Sequence, residues 1–296
     1  MTLPGLGLGD VLALACGTSW AVAIILFKVA GDGLSPMAAG LFKNVFALAC
    51  FSVLLAIGGT PLPVLPAGDW AWLVVSAVLG ISVADAMFLH SLNLLGAGRH
   101  AVVDCVYIPA MTLWAVLLRG DRVGAAFAAG TVLIAGGILL SGWEARGTLA
   151  RGRILRGVVY GVGAILLMAG VVVQTLPIAA KTGASWYIAT RLAVASLASL
   201  AMLCMAGGGL RALRAYHRGV NWPALAGASF FGTFLSLWFW IKGFEHGAVP
   251  RIAALNQVSV FLTILMAWGF LREPMTWRKV AGVALGFAGV VVIQQG

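Results

Sequence analysis

AWLVVSAVLGISVADAMFLH, residues 71–90, contains a single acidic residue, Asp85, in an otherwise apolar run. Its length is that of an α-helix crossing a hydrocarbon core of about 30 Å. A carboxylate in such a helix is costly, so water or a partner must reach it. The same kind of block recurs along the chain, near 11–30, 36–57, 70–90, 97–118, 123–142, 157–177, 184–206, 222–243, 249–271 and 277–294. Of the 296 residues, 61% are hydrophobic and 9% are charged, against about 25% charged in soluble domains. The expected fold class is therefore an all-α integral membrane protein with ten transmembrane helices.

The net charge of +10 does not point to nucleic acid. The basic residues lie mostly in short loops between blocks, where they act as topology determinants. The opening MTLPGLGLGDVLALACG lacks the basic start of a secretory signal, so the first block is expected to be a retained span. Cys16, Cys50, Cys105 and Cys204 all fall inside apolar blocks without a CxxC pair and are expected to be small core residues.

The chain also repeats itself. A constant shift of 152 residues carries Trp70 onto Trp222, Gly80 onto Gly232, Asp104 onto Asn256, Asp121 onto Glu273, Gly130 onto Gly282 and Gly137 onto Gly289. Nearer the start a shift of 148 pairs Gly9 with Gly157, Lys43 with Arg191 and Gly59 with Gly207. The organisation expected is a first five-span repeat (1–142), a basic inter-repeat loop (143–156) and a second five-span repeat (157–296). Five is odd, so the second repeat enters the membrane from the opposite side. Two inverted halves suit alternating access around a site near the midplane.

The first repeat reads GTSWAVAIILFKVAGDGLSPMAAGLFK (17–43), a small-residue and Trp-containing span, a lysine, a Ser-Pro turn and a second basic residue. The second ends in GAVPRIAALNQVSVFLTILMAWGFLREPMTWRKVAGVALGFAGVVVI (247–293), a hairpin of two spans around LREPMT. In these features the sequence resembles the ten-span EamA-type transporters of the drug/metabolite transporter superfamily. The first copy of the turn departs from that pattern with LRGDR (118–122), and Phe261 stands where the first repeat has Pro109. The resemblance implies a multi-pass protein of the bacterial inner membrane that exports small metabolites, amino acids or related compounds. It also implies cytoplasmic termini, whereas the bias of Arg146, Arg151, Arg153, Arg156, Arg211, Arg214 and Arg218 to one side puts the termini outside.

Asp85 and Asp104 are the acidic residues placed well within spans, and are candidates for substrate binding or proton coupling. Asp104 and Tyr107 are one helical turn apart; Asn256 and Ser259 are their counterparts in the second repeat, with Gln257 adjacent and Thr263 a turn beyond. Ser236 and Trp240 share a face with Thr233, and Trp20 and Trp238 are candidate aromatic walls. The alternative for each polar residue is interhelical packing. Lys43 and Arg191 are expected to snorkel to an interface or form a structural ion pair, with binding of an anionic substrate group the alternative, and His90 to be a satisfied histidine rather than a proton relay.

Phosphate-loop, GxSxG, HExxH and paired-Cys patterns are not found, so no cofactor, metal or catalytic residue is expected. Coupling to protons, or exchange of solutes, is the expected energy source. The partners expected are a small-molecule substrate and the lipid bilayer, with the chain a monomer or homodimer. A membrane-embedded enzyme on lipid-linked substrates is the alternative class; its required cluster of interfacial acid, base and nucleophile is not evident. Ten spans place both ends of the chain on one side. Single cysteines introduced near each end should thus label from the same side of oriented vesicles, and labelling from opposite sides contradicts the count.

Overall fold

A computed structural model describes residues 7–31, 35–120, 124–142, 151–205, 219–247, 252 and 255–295. Among these residues the helices join into ten rods. They are α1 (Leu8–Ala30), α2 (Pro36–Gly58), α3 (Ala67–Leu95), α4 (Ala97–Leu118), α5 (Ala125–Gly142), α6 (Arg151–Thr182), α7 (Ala184–Met205), α8 (Trp222–His246), α9 (Val258–Leu271) and α10 (Trp277–Gln295). Seven of them, α1 to α4 and α6 to α8, are long and apolar enough to cross a membrane. Large side chains such as Val53, Ile57, Val132, Leu139, Leu197 and Phe270 lie exposed on the outer surface, as a bundle solvated by lipid requires.

Local chemistry sets the helix starts. Ser35 caps α2, its hydroxyl accepting from the Ala38 N–H, with Pro36 in the first turn. Asn221 caps α8 in the same way through the Ala224 N–H. The expected basic loop (143–156) is shorter than its sequence suggests, because α6 already begins at Arg151; positions 143–150 lie outside the described residues. Two cysteine expectations also need correcting. Cys16 and Cys105 are buried, but Cys50 is only half-buried and Cys204 is exposed, since each sits on the outward stripe of its helix.

The repeat seen in the sequence recurs as paired irregularities. α3 contains a π-helical segment at Val78–Val83 and α8 one at Ser229–Ser236. α4 is broken at Cys105–Val106, and the run leading into α9 is broken at Gln257, the counterpart of Cys105. Such breaks free backbone groups and are tolerated at membrane depth only where protein or a cavity covers them.

The packing obeys a pseudo-two-fold relation. Gly80 of α3 meets the Val171 side chain of α6, and its counterpart Gly232 of α8 meets Ala23 of α1, where an added Cβ would lie 2.7 Å from the Ala23 Cβ. α5 and α10 pack along each other. A Cβ at Gly137 would strike the Gly282 carbonyl oxygen, and one at Gly289 would lie 2.5 Å from the Gly130 carbonyl oxygen. This reciprocal contact is the mark of an isologous interface, here between two halves of one chain. The LREPMT turn also closes on the other half: the Glu273 carboxylate accepts from Ala97 N (2.9 Å) and Gly98 N (3.1 Å), capping α4. Its counterpart Asp121 lies outside the described residues.

Because backbone rather than a flexible side chain occupies the space beside Gly137 and Gly289, Leu there must separate α5 from α10. Overpacking costs roughly 1–3 kcal/mol, more where backbone must move. Gly137→Leu and Gly289→Leu should each lower the yield of folded protein in membranes, measured by size-exclusion profile after detergent extraction. Gly136→Ala, with no atom within 4 Å of its added Cβ, should behave as wild type. Normal yields for the leucine variants would show that the α5–α10 seam is not structural.

Candidate functional site

A cavity of about 180 Å³ lies at the centre of the bundle, walled by α1, α2, α3, α4, α6, α7, α8 and the break before α9. It is smaller than the roughly 300 Å³ at which drug-sized pockets begin. All nine candidate residues, Trp20, Asp85, Asp104, Tyr107, Ser236, Trp240, Asn256, Gln257 and Ser259, line it. The π segments bring Gly80, Thr233 and Ser236 to its wall, and the paired breaks bring Asp104, Tyr107, Asn256 and Gln257. Trp238 and Thr263 lie outside the lining, and Trp238 instead packs against Phe239 at 5.7 Å. His90 rests edge-on against Tyr160 (4.6 Å), away from Asp85.

One group of charges sits where α2, α3 and α7 meet. Lys43 forms a salt bridge with Asp85 and donates to Asn44 Oδ1 (3.3 Å). Arg191 donates through Nη1 to the Tyr187 hydroxyl (2.9 Å) and through Nη2 to the Ser76 carbonyl (3.4 Å). The Tyr187 hydroxyl is held in turn by Thr175 at 2.8 Å. Lys43 and Arg191 are each only 6% exposed and both line the cavity. Of the two expectations, snorkelling to an interface does not hold for either, whereas the structural ion pair is what Lys43 forms; Arg191 has a hydroxyl and a carbonyl instead. Each finds polar partners inside the bundle, which offset part of the cost of burying its charge. With one carboxylate and two basic side chains, this group carries an excess of one formal positive charge.

Asp104 stands apart from these cations. Its carboxylate faces the imidazole of His100, with Nε2 to Oδ1 at 3.5 Å, and the Trp20 indole also faces it. Much of the remaining wall is apolar, with Phe88, Ile165, Met168, Val172, Leu237 and Ile241. Buried polar atoms on the lining lack a hydrogen-bond partner, among them Asn256 Oδ1 and Arg191 Nε. Unpaired groups of this kind are expensive unless a bound molecule or water takes them up. Among the described residues no set of three His, Cys, Asp or Glu could hold a metal ion.

The EamA-like transporter family matches this chain twice, over residues 7–143 and 155–294. The chain belongs to the EamA-like transporter family. It is a multi-pass integral membrane protein. A probable terminal-alkyne amino-acid exporter from Streptantibioticus cattleyicolor is 34% identical over 104 residues, which is 35% of this chain and 33% of that protein. The match therefore spans about a third of the relative's length. A protein crystal structure shares the fold with a TM-score of 0.69 at 16% identity, covering 96% of this chain and 95% of the other.

Sequence reasoning gave anion binding by Lys43 and Arg191 only as the alternative, and missed Tyr187 on the cavity wall and His100 beside Asp104. The signal was available for the first two, because Lys43 and Arg191 are matched by the repeat. His100 and Asp104 have the i, i+4 spacing of a helical pair.

Breaking a buried ion pair by removing one partner costs about 3–5 kcal/mol, whereas replacing both with apolar groups is often close to neutral. Asp85→Asn should therefore lower the melting temperature of the detergent-solubilised protein, and Lys43→Met/Asp85→Leu should recover most of the loss. If Asp85→Asn melts at the wild-type temperature, the pair does not hold α2 to α3.

Proposed function

We propose that this EamA-family protein is a secondary active transporter that exports small zwitterionic metabolites, amino acids or close relatives, across the bacterial inner membrane. The observation that carries this reading is the separation of charge in one small cavity. An excess positive charge at Lys43, Asp85 and Arg191 faces the carboxylate end of a solute, and Asp104 faces its ammonium end. A molecule with both groups on one carbon matches the two poles and brings no net charge to the membrane interior. The apolar remainder of the wall, with Trp20 and Trp240, suits an aliphatic or aromatic side chain. The similarity to a probable amino-acid exporter supports the same class.

The mechanism follows from the pseudo-two-fold. The halves are read as inverted repeats, with boundaries near 1–142 and 157–296. Each supplies one π segment, one broken helix and one buried base to the cavity wall. Opening one side and then the other exchanges the roles of α3 and α8 around a fixed site. The side chains act as binding groups throughout: Arg191 and Lys43 hold an anionic oxygen, and Asp104 holds an ammonium. Protons are the coupling ion in this reading, and the chain works as a monomer or homodimer in the bilayer.

The zwitterion rule can be tested by ligand chemistry alone. Purified protein should bind an apolar amino acid, followed by tryptophan fluorescence or thermal shift. The matching amine without a carboxylate, and the matching acid without an ammonium, should compete at least ten-fold more weakly. A buried charged hydrogen-bonding group left unpaired costs about 1.5–3 kcal/mol, which is roughly ten- to a hundred-fold. Equal competition by either analogue contradicts the two-pole site.

A further inference from the structure

His100 is fully buried and does not line the cavity, yet it is held with unusual definition. The Ser91 hydroxyl is 2.7 Å from the Gly157 carbonyl oxygen, which can only accept, so the one hydroxyl hydrogen of Ser91 is used there. Ser91 Oγ is also 2.9 Å from His100 Nδ1. With its hydrogen committed, Oγ must accept, and Nδ1 must carry a hydrogen. A neutral His100 then presents a bare lone pair on Nε2, and Nε2 has no hydrogen-bond partner of its own. What it faces is Asp104 Oδ1 at 3.5 Å. Phe88, edge-on at 4.7 Å, holds the ring in place. With Asp104 ionised and His100 neutral, two lone pairs oppose each other in a buried space. One added proton turns that repulsion into a hydrogen bond, whether it is described as carboxylic acid with imidazole or carboxylate with imidazolium.

We propose that Asp104 and His100 together form a binding site for one proton, with the tautomer of His100 fixed by Ser91 and the Gly157 carbonyl. The site rests on the reading of Asp104 as the cavity carboxylate of a transporter. Only Asp104 opens to the cavity, so the pair takes its proton from there. A proton held on the pair removes the negative charge that a substrate ammonium needs, so proton and ammonium exclude one another. Gly157 opens the second half of the chain, so the proton's partner is anchored across the two repeats.

Among the described residues, Cys16 on α1, Lys43 on α2, Asp85 on α3, and Tyr187 and Arg191 on α7 line the same cavity. Arg99, Cys105 and Tyr107 are on α4 itself. On α6, Tyr160 packs on His90 and Arg153 donates to the Asn93 carbonyl. α5 and α9 carry no titratable side chain, and Lys279 of α10 lies beside Glu273 at the far end of the Ala97–Asp104 segment.

Two spectroscopic measurements on the purified protein test the site without requiring transport. Nitrogen NMR of labelled histidine should show the Nδ1–H tautomer for neutral His100, identified by its loss in His100→Gln. Infrared difference spectra across pH should show one protonated-carboxyl band that disappears in Asp104→Asn. In His100→Gln that band should appear only at pH lower by a unit or more. An Nε2–H tautomer, or a band whose midpoint is unmoved in His100→Gln, overturns the shared site and leaves the transporter reading standing. Loss of amino-acid binding by wild-type protein at every pH would instead overturn the transporter reading while the spectroscopic result stands by itself.

Discussion

The salt bridge between Lys43 and Asp85, with Arg191 beside it, is the interaction the rest of the structure accommodates. Charges inside a lipid-solvated bundle have nowhere to go except towards each other or towards an internal cavity. Here they do both. The pair joins α2 to α3, Arg191 ties α7 to the Ser76 carbonyl of α3, and all three groups line one central space. The backbone around them is shaped accordingly. Two π segments and two broken helices are confined to the cavity wall, where freed peptide groups can find partners, while the straight helices α5 and α10 form a seam of glycines away from it.

Pseudo-symmetry explains why so much irregularity is tolerated. Each defect appears twice, at counterpart positions, so the two halves pack through the same contact made in both directions. Gly80 against Val171 and Gly232 against Ala23 are one such contact; Gly137 against Gly282 and Gly289 against Gly130 are another. The charges break this symmetry. Lys43 has Asp85 as its partner, whereas Arg191 has a tyrosine hydroxyl and a carbonyl; Asp104 has Asn256 as its counterpart. A symmetric frame with an asymmetric charge pattern is what a transporter of a polar, oriented solute requires.

Much of this was legible in the sequence. The apolar blocks gave the helices, and the constant shift between Trp70 and Trp222, Asp104 and Asn256, and Gly137 and Gly289 gave the duplication. The polar residues that line the cavity could be found because polar side chains in an apolar helix are rare and face inward. What could not be read was which way long side chains turn. Lys43 and Arg191 sit about two turns into their helices, from where either an interface or the interior is in reach; only the positions of Asp85 and Tyr187 decide it. The π segments were also hidden, since a one-residue widening leaves no mark on hydropathy. It moves Ser82 away from the face it would share with Asp85 and onto the Ala195 carbonyl (2.9 Å).

The central claim is that the cavity carries small zwitterions across the bilayer without consuming nucleotide. Counterflow measures this directly. Proteoliposomes of the purified chain, loaded with an unlabelled pool of apolar amino acids, should accumulate an external labelled amino acid above its outside concentration for a time and then lose it. No nucleotide is added. Uptake that never exceeds that of protein-free liposomes, for any amino acid and with the protein inserted and folded, contradicts the account.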